Sequence, residues 1–271
     1  MAALASAPQW PAAAATLVYC PFLYVLPLGL SRPGPRNDPT VIASRCGLAV
    51  ASSALGCWVP AWLLGVPRGE LLRALGLWPV SLSATFLPVV PFALLNLVPA
   101  LASGARGPVD LLEGVVRWRV AAPAAAARDL LWAPLSEELV FRAALLAGLR
   151  AAGVDPSAAL LLSPLPFALA HLRRLRERLR EGQPPFPAAV ATLAQTAYTS
   201  VFALYASSAF LGTGSLWGCV AAHSLCNLFG IPALARAWRT RGWAGKALAL
   251  AGVAAFFVTL GPCTGRRGRG T

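Results

Sequence analysis

Residues 182–235 read GQPPFPAAVATLAQTAYTSVFALYASSAFLGTGSLWGCVAAHSLCNLFGIPALA, a run of 54 residues without one Asp, Glu, Lys or Arg. A helix crossing a bilayer needs about 20 apolar residues, so this run is too long for one crossing and long enough for two. It divides at Gly212-Thr213-Gly214-Ser215, a cluster of turn formers. Further uncharged runs stand at 1–31, 46–67, 74–105, 156–172 and 247–265. Of the 271 residues, 57% are hydrophobic and 12% charged. A soluble domain carries about 25% charged residues, so neither a disordered chain nor a water-soluble enzyme fits. The expected class is all-α, a polytopic membrane protein.

Apolar runs set against breakers give about eight spans, near 11–30, 39–65, 77–103, 123–149, 154–172, 187–211, 215–235 and 244–262. They are expected to form one membrane domain over 1–271, without internal repeats. The first run lacks the basic flank of a secretory signal and is expected to be a retained span. Pro79, Pro88, Pro91 and Pro99 should kink or interrupt the third. The six cysteines form no CxxC pair and lie mostly within apolar runs, which predicts buried structural thiols.

The balance is basic, 23 Lys and Arg against 10 Asp and Glu, for a net charge of +13. In a soluble protein that excess would suggest nucleic acid. Here it concentrates in short loops, where it sets topology and touches anionic lipid, and no nucleic-acid partner is expected. Loops 31–38, 104–122, 173–186 and 236–246 carry 2, 3, 5 and 4 basic residues, 14 in all. The opposite side carries 2 in 66–76, 1 in 150–153 and 3 after 262, or 6. The richer side is expected to be cytoplasmic.

Ionisable residues inside spans are costly and by default mark function. Lys246 at the edge of the eighth span aside, they are Arg45, Arg128, Asp129, Glu137, Glu138, Arg142, His171 and His223. In Pro134-Leu-Ser-Glu137-Glu138-Leu-Val-Phe-Arg142, Glu138 and Arg142 lie one helical turn apart and can pair. Glu137 points about 100° away with no local counter-ion, the setting of a carboxyl able to accept a proton near neutrality. A buried ion pair holding two helices together is the alternative on this motif alone. His171 ends the fifth span beside a basic run, where an interfacial role would also account for it. His223 and Asn227 project from one helix face at i, i+4, and an interhelical hydrogen-bonded pair is the alternative there. With the orientation above, these groups can share one depth in the cytoplasmic half of the membrane. A carboxylate, an imidazole and two hydrogen-bond donors converging there suggest water-mediated acyl transfer.

Three ordered motifs, Glu137-Glu138-x-x-x-Arg142, Phe167-x-x-x-His171 and His223-x-x-x-Asn227, resemble those of the type II CAAX prenyl endopeptidases, within the CAAX protease and bacteriocin-processing family. Ala197-Tyr-Thr-Ser-Val-Phe202 and Cys226-Asn-Leu-Phe-Gly-Ile-Pro232 add to the likeness, which runs over about 120–235. The resemblance implies an endopeptidase of the endoplasmic reticulum membrane, open to the cytoplasm. It would remove the last three residues of farnesylated or geranylgeranylated CaaX proteins, such as Ras-like small GTPases. Carried over, Glu137 and His171 activate water, His223 and Asn227 form the oxyanion hole, and Glu138 with Arg142 supports them. The resemblance implies no cofactor, and metal use is not implied, for there is no HExxH. The rivals are a non-catalytic membrane chaperone or immunity-like protein of the same fold, and a metalloenzyme using His171, His223 and Glu137. A transporter fits less well, for no paired inverted repeat is visible.

Overall fold

Proline and apolar length decide where the helices begin. The computed structural model describes residues 9–63, 67–102, 121–229 and 242–263, and the regular elements among them are all helical. Near the chain start lie α1 (Trp10–Leu30), α2 (Pro39–Leu63), α3 (Leu71–Ala74), α4 (Leu82–Phe86) and α5 (Val89–Ala102). A single helix, α6, then runs over 123–151 and contains two π turns, Arg128–Trp132 and Leu139–Ala144. It is followed by α7 (Pro156–Leu162), α8 (Pro164–His171), α9 (Arg173–Arg180), α10 (Pro185–Thr213), α11 (Leu216–Phe229) and α12 (Gly242–Cys263). Proline stands in the first turn of α1, α6, α7, α8 and α10, where an N–H would go unpaired in any case.

Spans four, six and eight of the sequence reading correspond to α6, α10 and α12. Span three is interrupted between α4 and α5, as its prolines predict. Span five is also broken, at Ser163-Pro164, and the basic run after it is not a loop but begins as helix α9. Arg173 and Arg174 hold Glu177 there at 3.5 and 2.9 Å, the i, i+4 and i, i+3 pairs that support an exposed helix. Span seven is helical through Phe229; its end, most of the 104–122 loop and the Arg-rich tail lie outside the described residues.

Centred on α6, the core buries Val140 to Leu146 without a break, which places that stretch inside the bundle, packed by α1, α2, α10 and α11. Edge-on contacts of Phe92 with Phe202, Tyr205 and Phe256 join α5, α10 and α12. Where α11 crosses the α4–α5 junction, a Cβ on Gly218 would come within 2.9 Å of the Pro88 ring, so the close approach requires glycine. At the turn before α4, Gly76 has φ +67°, and its carbonyl accepts from Leu216 N at 2.9 Å. That hydrogen bond docks the turn onto the one between α10 and α11. Cys20, Cys57, Cys219 and Cys226 are buried and Cys46 half-buried, all as free thiols, in keeping with the structural reading.

The outward faces remain apolar. Val18, Phe22 and Leu26 form a stripe on α1, Phe186, Val190 and Leu193 another on α10, and Leu250, Phe257 and Val258 are exposed on α12. Soluble proteins rarely expose apolar stripes on this scale; hydrocarbon is the solvent that suits them. Among the described residues, two helices are long and apolar enough to cross a membrane, Pro39–Trp58 and Gly242–Thr259. Trp10–Leu26, Leu82–Asn96 and Leu216–Phe229 are apolar but shorter. The described residues form an all-helical fold whose outward faces suit a membrane.

Candidate active site

The two π turns of α6 set up the site. A π turn widens the helix and takes carbonyls out of the regular i→i−4 ladder, and side chains of neighbouring helices meet them here. Asn227 Nδ2 donates to Asp129 O at 2.8 Å and Ser224 Oγ to Leu130 O at 2.7 Å. Between the two π turns, Ser53 Oγ of α2 shares its proton between Ala49 O of its own helix at 2.6 Å and Ser136 O of α6 at 3.2 Å. Helices α2 and α11 are thereby pinned to α6 on either side of Glu137 and Glu138.

Glu138 is fully buried and pairs with the equally buried Arg142, Nε to Oε2 at 3.0 Å. The angle is not that of a hydrogen bond, and among the described residues Arg142 Nη1 and Nη2 meet no acceptor. Aromatic faces surround the guanidinium instead, with Phe167 at 4.7 Å and Phe202 at 5.4 Å. A cation over a ring in a desolvated site gains about 2 kcal/mol, which helps hold this buried charge. The other oxygen of Glu138 meets His223 Nδ1 at 2.7 Å. A carboxylate can only accept, so Nδ1 carries the proton and Nε2 of the neutral ring is an acceptor. His223 presents an N–H at Nε2 only as imidazolium.

Glu137 stands at the meeting of the buried cluster and a cleft. Its Oε2 lies 3.9 Å from His223 Nε2. Its Oε1 accepts a 2.5 Å hydrogen bond from Tyr24 OH on α1. The sequence reading left Glu137 without a local partner; the partner comes from 113 residues away. A tyrosine amid an apolar span does signal a hydroxyl in need of an acceptor, but nothing in the sequence says which. The cleft has free space of about 110 Å3 and is lined by Tyr24, Glu137 and the arginines Arg36, Arg45, Arg128, Arg173 and Arg174, among others. On the 31–38 loop, partial desolvation at the cleft mouth, then Arg174 and Arg128, hold the guanidinium of the otherwise exposed Arg36 below its ordinary value.

His171, the last residue of α8, stacks on Phe167 at 4.7 Å, and its Nδ1 lies 2.8 Å from Phe167 O. A carbonyl requires a donor, so His171 also turns an acceptor Nε2 outward. It stands within electrostatic reach of Glu137, His223 and Arg174. The structure thus brings Glu137, Glu138, Arg142 and His223 into one contact network and sets His171 beside it. Asn227 lies one turn beyond His223, with its amide on the π turn. Tyr24, Ser53, Ser224 and Phe202 complete the surroundings and were not singled out for this site from the sequence. Among the described residues, no group of three or more His, Cys, Asp or Glu is arranged to hold a metal ion.

A carboxylate reached by water, two imidazoles with outward acceptors and a charge network behind them form an arrangement that can take a proton from water. Residues 119–229, which contain every one of the expected site residues, match the family described as type II CAAX prenyl endopeptidase Rce1-like. The chain is 36% identical over 254 residues to CAAX prenyl protease 2 of Homo sapiens, covering 85% of this chain and 74% of that one. It is 29% identical over 229 residues to the probable CAAX prenyl protease 2 of Schizosaccharomyces pombe, covering 81% and 79%. With CAAX prenyl protease 2 of Arabidopsis thaliana it shares 37% identity over 138 residues, 51% and 43% of the two chains. No solved structure matches the chain.

Proposed function

The chain belongs to the type II CAAX prenyl endopeptidases, and from that premise we propose that it hydrolyses the peptide bond after the prenylated cysteine of CaaX proteins, releasing the C-terminal tripeptide. Ras-like small GTPases are the substrates that this reading favours. Glu137 accepts a proton from water held between it and His171, and the oxygen attacks the carbonyl carbon of the prenylated cysteine. The tetrahedral oxyanion is met by His223, as imidazolium, and by Asn227. As it collapses the C–N bond breaks, the proton passes to the departing amine, and the prenylcysteine keeps the new carboxylate. Glu138 and Arg142 fix the tautomer and position of His223. The attack is metal-independent in this reading, driven by carboxylate and imidazole.

The observation that carries the reading is the position of Glu137, with one oxygen on Tyr24 in the cleft and the other toward His223. The protein is proposed to lie in the endoplasmic reticulum membrane as a single domain of about eight crossings, its cleft open to the cytoplasm. Purified protein incubated with a farnesylated CaaX peptide should release the tripeptide. It should do so in chelator, with no stoichiometric metal found by elemental analysis. An intact peptide, or turnover that tracks bound metal, counts against the proposal.

A further inference from the structure

The cleft at Glu137 is crowded with guanidinium groups, and they are not equivalent. Arg128 is paired with Asp129 at 2.7 Å and donates to Arg36 O and Asn37. Arg173 and Arg174 share Glu177. Arg36 stands at the exposed rim. Arg45 is different: it lies within the apolar window Pro39–Trp58 of α2 and is half-buried. Its buried Nε has no hydrogen-bond partner among the described residues. It lines both the cleft that ends at Glu137 and the adjoining space of about 460 Å3, which opens toward Arg32 and Arg180. A charge drawn into an apolar span without a partner is expensive, and a guanidinium is shaped to take a carboxylate or phosphate through two parallel N–H groups.

The spacing along α2 says how far this anion would sit from the reacting bond. Arg45, Ala49 and Ser53 recur at four-residue intervals and so share one face. Arg45 and Ala49 line the cleft, while Ser53 reaches Ser136 O, beside Glu137. Eight residues at 1.5 Å each put the backbone level of Arg45 about 12 Å from that of Ser53, which faces the residue before Glu137. Three extended residues span about 10 Å. In a CaaX substrate three residues separate the scissile carbonyl from the chain's terminal carboxylate. We propose that Arg45 binds the C-terminal carboxylate of the substrate, so that the cleft measures three residues from a free chain end to the bond that Glu137 opens. The assignment rests on the endopeptidase reading above for the identity of the substrate, and its test does not require turnover.

The test compares a fluorescent farnesylated CaaX peptide as the free acid and as the C-terminal amide, binding to the intact protein in phospholipid-free detergent. A hydrogen-bonded charge pair of this kind supports discrimination of roughly ten- to hundred-fold, so the acid should bind tighter than the amide by about that factor. Arg45→Gln should bind acid and amide alike, at the affinity of the amide for the unaltered protein. Arg45→Lys, which keeps the charge but not the fork, should fall between. Equal binding of acid and amide by the unaltered protein overturns the assignment without recourse to any variant, as does discrimination that survives in Arg45→Gln. The same oxyanion chemistry is offered by a lipid phosphate. If vesicles of anionic phospholipid raise the melting temperature of the unaltered protein but not of Arg45→Gln, while the acid-over-amide preference persists in both, the site belongs to a headgroup and the assignment fails. Acid-selective binding that is lost in Arg45→Gln, in a protein that releases no tripeptide, leaves the carboxylate site standing and overturns the proteolytic reading instead.

Discussion

At Glu137, the proposed chemistry turns on what each oxygen touches. The hydroxyl of Tyr24 donates to Oε1, holding the carboxylate in one rotamer, while Oε2 faces His223. Tyr24→Phe keeps the ring and its edge-on contact with Phe141 at 5.5 Å and removes only the donor. A hydrogen bond to a charged group is worth about 1.5–3 kcal/mol, so kcat should fall roughly ten- to hundred-fold while the melting temperature in detergent stays close to that of the parent. Undiminished turnover in Tyr24→Phe would mean that the hydroxyl is a bystander. Glu137→Ala and His171→Ala should each abolish tripeptide release. If they work as one proton-transfer unit their effects will not add, and the double variant should be barely slower than either alone, measured under single-turnover conditions. Arg142→Ala tests a different property. It leaves Glu138 buried beside His223 without its cation, and breaking a buried pair costs about 3–5 kcal/mol. The variant should melt well below the parent as well as lose activity. A parent-like melting curve would show that Glu138 is not held by charge.

The π turn in α6 makes Asn227 and Ser224 a matched pair of probes. Each donates from α11 to a neighbouring carbonyl, Asp129 O and Leu130 O, and losing a partly buried hydrogen bond costs about 0.5–1.5 kcal/mol. Asn227→Ala and Ser224→Ala should therefore lower the melting temperature by similar amounts. The proposed oxyanion role adds a second demand. Removing one such donor costs roughly 100- to 1,000-fold in kcat, so Asn227→Ala should lose that factor with KM little changed, whereas Ser224→Ala should keep most of its turnover. Equal kinetics in two equally destabilised variants would reduce Asn227 to a tie between helices. These devices also mark where the sequence stops being legible. The positions of α6, α10 and α12 can be read directly, because an apolar run and a proline at its start are local signals. The pairing of Glu138 with Arg142 is legible as well, being one helical turn. The π turns are not, for the carbonyls of the first, Leu130 O and Asp129 O, are met by Ser224 and Asn227, residues 94 and 98 positions away. Tyr24 escapes for the same reason. Its partner is set by how α1 packs on α6, and periodicity within either helix says nothing of that. The helix α9 escapes because a search for apolar runs passes over a charged, surface-lying one.

Across the whole molecule, charge, exposed apolar surface and the cleft share one geometry. The outward stripes of α1, α10 and α12 are apolar and suited to hydrocarbon, while the cleft at Glu137 opens among Arg36, Arg128, Arg173 and Arg174. Those arginines belong to, or adjoin, the loops that carry 14 basic residues against 6 on the other side. Positive loops tend to stay cytoplasmic, so in the proposed orientation the basic side would also be the side by which a substrate enters. On that proposal a prenylated peptide need not cross the bilayer: its lipid would enter the membrane from the cytoplasmic leaflet and its chain end would meet the cleft there. Sealed microsomes with their cytoplasmic face outward should then cleave added farnesylated peptide at nearly the rate of permeabilised ones. Trypsin added to the same vesicles should cut within Arg173–Arg180, the exposed basic helix that borders the cleft, and abolish the activity. Latency that detergent relieves, together with protection of that helix from protease, would place the cleft in the lumen. The charge asymmetry would then have to be explained by the segments outside the described residues, where the 104–122 loop and the tail carry six of the basic residues between them.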